Sequence, residues 1–142
     1  MNKHAPEILK DHILPFNWYS EVVWALETPV LMAPRVEYDY LLYLPLWSSV
    51  AEKGMLFDTK PIDVINDPNI SVYQTARLKK ADITYPLDFL IHKGSNWILD
   101  GIHRLAKLYI LKEEMINVRL HSDTCIPAIK ICQQKKWKTT MQ

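Results

Sequence analysis

Glycine and cysteine are scarce in this chain of 142 residues, and each scarcity limits what the protein can be. Three glycines, Gly54, Gly94 and Gly101, are the residues that adopt a positive φ most easily, so each is expected to mark a turn. Two cysteines, Cys125 and Cys132, are too few for a disulfide framework. Since the chain shows no export signal, we expect reduced thiols and a cytoplasmic protein.

Long apolar runs and an excess of one charge are also missing. No segment reaches membrane-spanning length, and the start "MNKHAPEILKDH" lacks the apolar core of a signal peptide. The formal net charge of +1 argues against binding to DNA through an overall basic surface. These properties predict a single globular domain over residues 1–142 with no membrane partner.

Prolines are plentiful by contrast, and seven of the nine fall within residues 1–68, which predicts short elements there. Residues 17–28 have an apolar stripe typical of a helix, with Asn17 as its N-cap and Pro29 beyond its end. The segment "EYDYLLYLPLWSSVAEKG" is interpreted as partly helical.

Aromatic side chains concentrate in residues 1–57, which we interpret as an N-terminal extension packed on the rest of the domain. Buried positions in the core are the favoured interpretation for these side chains, and a ligand platform or a partner interface is the alternative. The set comprises Trp18, Tyr19, Trp24, Tyr38, Tyr40, Tyr43 and Trp47.

Residues 58–132 carry the clearer periodicities and form the predicted core of an α/β (α+β) domain with a small mixed sheet. A basic tail, residues 133–142, follows. The predicted elements are a strand at 60–65, a helix at 71–82 with Ser71 as N-cap, a hairpin of strands 86–92 and 97–99 around a turn at 93–96, a helix at 102–112 and a strand at 115–121.

The stretch "WILDGIHRLAKLYI" runs from a strand into a helix and is the main functional candidate. The N-terminus of a helix binds anions, because its first N–H groups have no partner within the helix. Gly101 permits a sharp turn and close approach of a ligand, while Arg104 and His103 supply donors suited to phosphate. Asp100 has three open roles: it can cap the helix, hold Arg104 or His103, or help to hold a metal ion. The simpler alternative is an ordinary Asp-Gly turn with solvated side chains.

The same stretch resembles the ParB/sulfiredoxin superfamily. "DGIHR" matches the "DGxHR" form found at the strand-to-helix turn of ParB-like domains. Upstream, "PLDF", "IHKG" and "NDPNISVYQTARL" resemble the segments that precede this turn in sulfiredoxins. The resemblance covers roughly residues 60–128 and implies a ParB/sulfiredoxin-like fold.

Members of this superfamily bind nucleotide phosphates at the turn, so the resemblance implies binding of a nucleotide, with ATP and Mg²⁺ as the expected pair. If the protein is an enzyme, it is expected to transfer a phosphoryl group to a small-molecule substrate or to hydrolyse the nucleotide. The positions implied for binding are Gly101, His103, Arg104 and Asp67. Those implied for catalysis are Asp100, His103, Arg104 and Asp88, with Asp88 or Asp67 as general base.

Departures from the superfamily pattern limit the function further. Ile102 stands where sulfiredoxins carry their catalytic cysteine, so repair of sulfinic acid through a thiol at this position is excluded. The alternative function is a non-enzymatic module that binds a nucleic acid or a protein through the tail "KKWK" and the aromatic extension. An inactive relative that keeps only the fold is a further alternative.

Two other site types have weaker sequence support. His92, Asp100, His103 and His121 are residue types that can bind a metal, but their spacing matches no metal-binding signature, and we predict no metal site in the protein itself. Cys125 and Cys132 are seven positions apart and do not form a redox motif.

Overall fold

The computed structural model describes residues 6–49 and 57–131, so Gly54, Cys132 and the basic tail lie outside the described residues. No helix within those two ranges combines the length and the apolar character that crossing a membrane requires. The strands are β1 (Leu31–Pro34), β2 (Leu87–His92), β3 (Ser95–Asp100) and β4 (Met115–Ser122). The α-helices are α1 (Ser20–Ala25), α2 (Pro61–Asn66), α3 (Val72–Lys80), α4 (Ile102–Ile110) and α5 (Ile126–Ile129).

The four strands form one mixed sheet in the order β1-β4-β2-β3. β1 pairs with β4 and β2 with β3 in antiparallel fashion, whereas β2 and β4 are parallel. A parallel pair needs a long crossover connection, which β3 and α4 supply here. The prediction of an α+β domain around a small mixed sheet is therefore confirmed.

The β2–β3 hairpin is confirmed, but its turn is shorter than predicted. Lys93 and Gly94 form the whole connection, and both have positive φ values, 51° and 80°. Two consecutive positive φ angles favour the tight two-residue turns that match the twist of hairpin strands. Strand β3 therefore begins at Ser95, two residues before the predicted start.

The strand predicted at 60–65 is wrong, since this segment forms helix α2. Pro61 occupies the first turn of the helix, where its missing N–H costs nothing. Ile62 and Val64 are buried, and their β-branched side chains made a strand the favoured interpretation. The remaining strand of the sheet is β1, which has mostly exposed residues and none of the alternation that would reveal a strand.

The helix predicted at 17–28 is shorter in the structure, and Asn17 does not cap it. Helix α1 begins after Tyr19, whose side chain makes no capping hydrogen bond. The carbonyl of Asn17 instead accepts a hydrogen bond from Ile131 N at 3.0 Å, and Trp18 forms a bridge to Lys130. Contacts with the C-terminal segment therefore keep residues 17–18 extended.

The partly helical interpretation after residue 37 corresponds to a 3₁₀ helix at Asp39–Tyr43. Of the aromatic set in the extension, Tyr38 and Trp47 are buried, and Tyr38 stacks on Phe89 at 4.7 Å between ring centroids. Four others are at least two-fifths exposed, contrary to the core role favoured from sequence: Tyr19, Trp24, Tyr40 and Tyr43.

Two apolar clusters pack in the described part of the chain. The larger one joins the buried faces of α2 and α4 to Leu87 and Phe89 of β2. The smaller one includes Leu90 of β2, together with residues of α1 and α5. Because side chains alternate along a strand, β2 contributes to both clusters from its two sides.

Candidate ligand-binding site between helices α3 and α4

The strand-to-helix turn after β3 requires glycine for two reasons. Gly101 has φ 119°, a left-handed conformation that side chains disfavour. A Cβ at this position would also lie 2.9 Å from Leu87 Cγ and 3.1 Å from Leu87 Cα. The close approach that the sequence assigned to a ligand is thus made by β2 itself.

Helix α4 begins immediately after this glycine without a side-chain cap. Its first intrahelical hydrogen bond runs from Leu105 N to Gly101 O at 2.9 Å, so the amides of residues 102–104 precede the helical ladder. Ser71, by contrast, caps helix α3 by accepting from Gln74 N. The α4 N-terminus therefore keeps partial positive charge and N–H groups that a ligand can use.

Asp100 takes one of its three expected roles, because it holds Arg104. Its Oδ2 accepts from Arg104 Nη2 at 2.9 Å and from Trp24 Nε1 at 2.7 Å. Arg104 Nη1 also donates to the carbonyl of Pro86. The guanidinium is consequently fixed in place beside the turn, and Asp100 does not cap α4.

His103 is held at one face of its ring and at one ring nitrogen, and it is electrically neutral at pH 7. It stacks on Trp47 with 4.5 Å between ring centroids, and its Nε2 lies 2.6 Å from Gln74 Oε1. Gln74 donates its own amide to Ser48 O at 2.7 Å, so its Oε1 must accept from His103. Burial, reinforced by the positive charges of Arg77 and Arg104, lowers the pKa of His103 to about 3.

This geometry gives His103 a different role from the one expected. A neutral imidazole carries a single N–H, and that of His103 is committed to Gln74. The side chain therefore lacks a proton for a phosphate oxygen. It serves instead to position the start of α4 against Trp47 and α3.

Two adjoining cavities meet at this turn, and we refer to them together as the α3–α4 cleft. One, of about 330 Å³, includes the aromatic side chains of Trp18, Trp47 and Tyr73. The other, of about 310 Å³, includes Arg77 and Lys80. Both are lined by the same four residues as well: Arg77, Asp100, Gly101 and His103. The cleft thus combines an aromatic part with a cationic part.

The cationic part has more positive than negative charge. Arg77, Lys80 and Arg104 line it together with one carboxylate, Asp100. Because Asp100 is already paired with Arg104, the net excess comes from Arg77 and Lys80. Arg77 Nη1 donates to the Tyr73 hydroxyl at 3.2 Å, which directs this side chain along the exposed face of α3.

Trp47 adds an unused donor to the aromatic part. Its side chain is 4% exposed, and its buried indole Nε1 has no hydrogen-bond partner among the described residues. A buried N–H without a partner costs free energy, roughly 1–3 kcal/mol. An acceptor supplied by a ligand in the cavity that Trp47 lines would remove that cost.

The structure brings together Asp100, Gly101, His103 and Arg104, but it places the other two predicted residues elsewhere. Asp67 is exposed and caps the short turn Pro68–Ile70 by accepting from Asn69 N. Asp88 is buried in β2 and lines a separate cavity, which Arg104 also borders. The distribution leaves Asp100 as the carboxylate of the α3–α4 cleft among the described residues.

Sequence reasoning missed the contribution of α3 to the site. The sequence predicts the helix that carries Arg77 and Lys80 but assigns neither of them, nor Gln74, to a site. The available signal was the basic last turn of α3, which contains Arg77, Lys79 and Lys80. What the sequence did not provide was the packing of α3 beside α4.

The residues considered for metal binding lie with different partners. His92 Nδ1 is 2.9 Å from Asp123 Oδ2, and His121 Nε2 is 2.9 Å from Asp88 Oδ1. Within residues 6–49 and 57–131, no three His, Cys, Asp or Glu side chains form a group that could hold a metal ion. Cys125 is half-buried, and burial raises the pKa of its thiol.

Comparisons of the chain with protein-family models, curated proteins and solved structures found no match. Membership of the ParB/sulfiredoxin superfamily therefore stays a prediction from the "DGIHR" motif and its surroundings. The geometry of the α3–α4 cleft has to support any functional proposal independently.

Proposed function

We propose that the α3–α4 cleft binds the phosphate groups of a nucleotide, with ATP carrying Mg²⁺ as the candidate ligand. The observation behind this proposal is the meeting of Arg77, Lys80 and the uncapped N-terminus of α4 beside the Trp47–His103 stack. Cations and helix amides are suited to phosphate oxygens, and the aromatic part of the cleft suits a flat base.

The expected magnesium ion fits this cleft only when it is bound to the phosphate groups of the ligand. Asp100 Oδ2 accepts both hydrogen bonds of that carboxylate, which leaves Oδ1 for a ligand hydroxyl or for Mg²⁺. One carboxylate together with phosphate oxygens is a common way for proteins to hold this ion. Mg²⁺ would neutralise phosphate charge there.

We limit the proposed activity to binding. A phosphoryl transfer would need a base beside the substrate hydroxyl. Asp88, the predicted base, lines a different cavity, where its Oδ1 accepts hydrogen bonds from Arg119 Nε and His121 Nε2. Asp67 is engaged in its own local turn. The geometry therefore supports binding of the nucleotide more directly than transfer or hydrolysis of its phosphoryl group.

Calorimetric titration with ATP and MgCl₂ tests the proposal. Arg77→Ala and Lys80→Ala should each weaken binding by about tenfold, since each removes a charge-assisted contact to phosphate. Lys79→Ala is the matched control, because it removes the same charge from the same helix at a position that does not line the cleft. Arg104→Ala should weaken binding too, but it also releases Asp100 and needs a folding check.

Inorganic triphosphate and adenosine, titrated separately, divide the cleft into its two parts. Triphosphate should compete with ATP and lose affinity in Lys80→Ala, whereas adenosine should be insensitive to that change, because Lys80 lines the cationic part alone. If the folded wild type binds none of these compounds at millimolar concentration with Mg²⁺ present, the proposal fails.

A short DNA duplex, tested at two salt concentrations, examines the nucleic-acid alternative. Binding that depends on Lys135, Lys136 and Lys138, but not on Arg77 or Lys80, would favour it. Its salt dependence should then fall when those lysines are removed, because fewer counterions are released.

A further inference from the structure

A further cavity, of about 560 Å³, lies next to Thr28, Asp88 and Arg119. Arg104 forms part of its wall, and the remaining lining is mainly apolar: Trp24, Val30, Tyr85 and Pro86. We call it the Thr28 cavity. Thr28 is half-buried, and it lies in the extended segment between α1 and β1.

Three side chains at this cavity form a hydrogen-bonded chain. Thr28 Oγ1 is 2.6 Å from His121 Nδ1, and His121 Nε2 is 2.9 Å from Asp88 Oδ1. His121 is 1% exposed and Asp88 is 2% exposed, so both are shielded from water. Asp88 and His121 lie on the neighbouring parallel strands β2 and β4, and Thr28 reaches them from the segment before β1.

The partners determine which nitrogen of His121 carries the proton. Asp88 Oδ1 also accepts from Arg119 Nε at 2.7 Å, so this oxygen acts as an acceptor towards His121. His121 Nε2 must then be the donor, and in the neutral imidazole the unprotonated Nδ1 accepts from the Thr28 hydroxyl. The proton of Thr28 is therefore directed at a base whose tautomer is fixed by a buried carboxylate, the pattern of an activated nucleophile.

We propose that Thr28, His121 and Asp88 form a hydroxyl–imidazole–carboxylate triad in which Thr28 accepts the acyl group of a small, uncharged ester bound in the Thr28 cavity. The apolar lining suits an apolar acyl group. A phosphate ester is less suitable, because the three nitrogens of Arg119 already donate to Asp88, Leu26 and Val23.

The acyl transfer would follow the direction of these hydrogen bonds. Thr28 Oγ forms a bond to the ester carbonyl carbon while its proton moves to His121 Nδ1. The bond from that carbon to the alcohol oxygen then breaks, and the alcohol leaves with the proton from His121. Water can repeat the same two steps on the acyl-threonine, which releases the carboxylic acid and restores Thr28.

Acylation with p-nitrophenyl acetate and p-nitrophenyl butyrate tests the triad on the full chain. The coloured p-nitrophenolate reports the rate, and mass spectrometry of the digested protein locates the acyl group. Thr28 should be labelled about a hundredfold faster than Thr84 in the same digest. Thr84 is a suitable internal control, since its hydroxyl donates directly to Asp82 without an intervening imidazole.

Variants show whether Thr28 is acylated because His121 activates its hydroxyl or only because that hydroxyl is accessible. Thr28→Val should abolish labelling at this position, and Thr28→Ser should keep it, because the serine hydroxyl can make the same contact with His121. His121→Gln should slow labelling of Thr28 by about a hundredfold. Thr84→Val is the matched control and should change nothing.

Locating the acyl groups on the wild-type protein tests the triad even if a variant fails to fold. Acyl groups found on lysines or on Thr84, with none on Thr28, would overturn the triad. An unchanged labelling rate in folded Thr28→Val would do the same. Arg77→Ala should leave acylation intact, so failure of the triad and failure of nucleotide binding can be told apart.

Discussion

The two cavities on either side of Arg104 deal with buried titratable groups in opposite ways. At the Thr28 cavity, Asp88, Arg119 and His121 are all at least nine-tenths buried and bond to one another. At the α3–α4 cleft, His103 is half-buried without a counter-charge, and its pKa falls to about 3. The difference is one of partners: the groups at the Thr28 cavity bond to Asp88, whereas the imidazole of His103 has no carboxylate partner and is kept neutral.

Removing one member of the paired group should have the largest effect on stability. Asp88→Asn leaves the Arg119 guanidinium buried without its carboxylate, and we expect the free energy of unfolding to fall by about 3–5 kcal/mol. Urea denaturation measures this loss. Lys10→Ala breaks an ion pair with Glu7 in which both side chains are more than half exposed. It should cause no measurable change in the free energy of unfolding.

A small effect of Asp88→Asn would mean that water reaches Arg119 and that the group is less enclosed than its burial indicates. That outcome would also weaken the triad, because His121 would then lack a fixed tautomer. The comparison between the two cavities therefore depends on this measurement first.

Because the imidazole of His103 is neutral in the folded protein, the free energy of unfolding should depend on pH in the acidic range. In the unfolded chain His103 binds a proton near its usual pKa of 6.5, whereas in the folded protein it does so only near pH 3. The unfolded state thus holds more protons between these values, and the free energy of unfolding decreases as the pH falls below 6.5. The slope approaches about 1.4 kcal/mol per pH unit, or about 3 kcal/mol in total by roughly pH 4.5.

The matching measurement compares wild type with His103→Gln over that pH range. The variant keeps an amide able to contact Gln74 but has no proton to take up, so the difference between the two curves isolates His103. Curves that stay parallel from pH 7 to pH 4 would show that His103 titrates normally and is not buried without a counter-charge.

Whether the sequence predicts an element correctly depends on how far apart in the chain the interacting residues lie. The β2–β3 hairpin and helices α3 and α4 depend on local signals, namely a two-residue turn, a serine cap and apolar spacing. Asp100 and Arg104 are four residues apart, so their pairing was among the open alternatives.

Other contacts join residues that are far apart in the chain, and no local sequence pattern indicates them. Gln74 meets His103 across 29 positions, and Asp88 meets Arg119 across 31. The sequence predicts a strand at α2 because its buried Ile and Val residues favour strands, and only their packing in the fold makes the segment a helix. Strand β1 has mostly exposed residues, and its pairing with β4 alone defines it.

Gly101 tests how strongly the turn before α4, which lines the α3–α4 cleft, depends on glycine. Gly101→Ala places a Cβ against Leu87 in a backbone conformation with φ 119°, and we expect a loss of about 1–3 kcal/mol in the free energy of unfolding. Gly94→Ala is the control, since its φ is also positive but nothing lies within 4 Å of the added carbon. Equal losses would indicate that strain, and not the contact with Leu87, determines the cost.

The smallest expected effect concerns the cap that distinguishes α3 from α4. Ser71 Oγ accepts from Gln74 N at 3.2 Å and donates to Ser49 O at 3.0 Å, so Ser71→Ala removes two hydrogen bonds at the start of α3. We expect a loss of about 1 kcal/mol by thermal or urea denaturation, the usual value for a lost N-cap. Ser71→Asp, which can still accept from Gln74, should recover part of it. Because the amide of Gln74 remains bonded to Ser48, ATP affinity should change little in either variant. A large loss of affinity with little loss of stability would show that Ser71 orients Gln74, and through it His103, for the ligand.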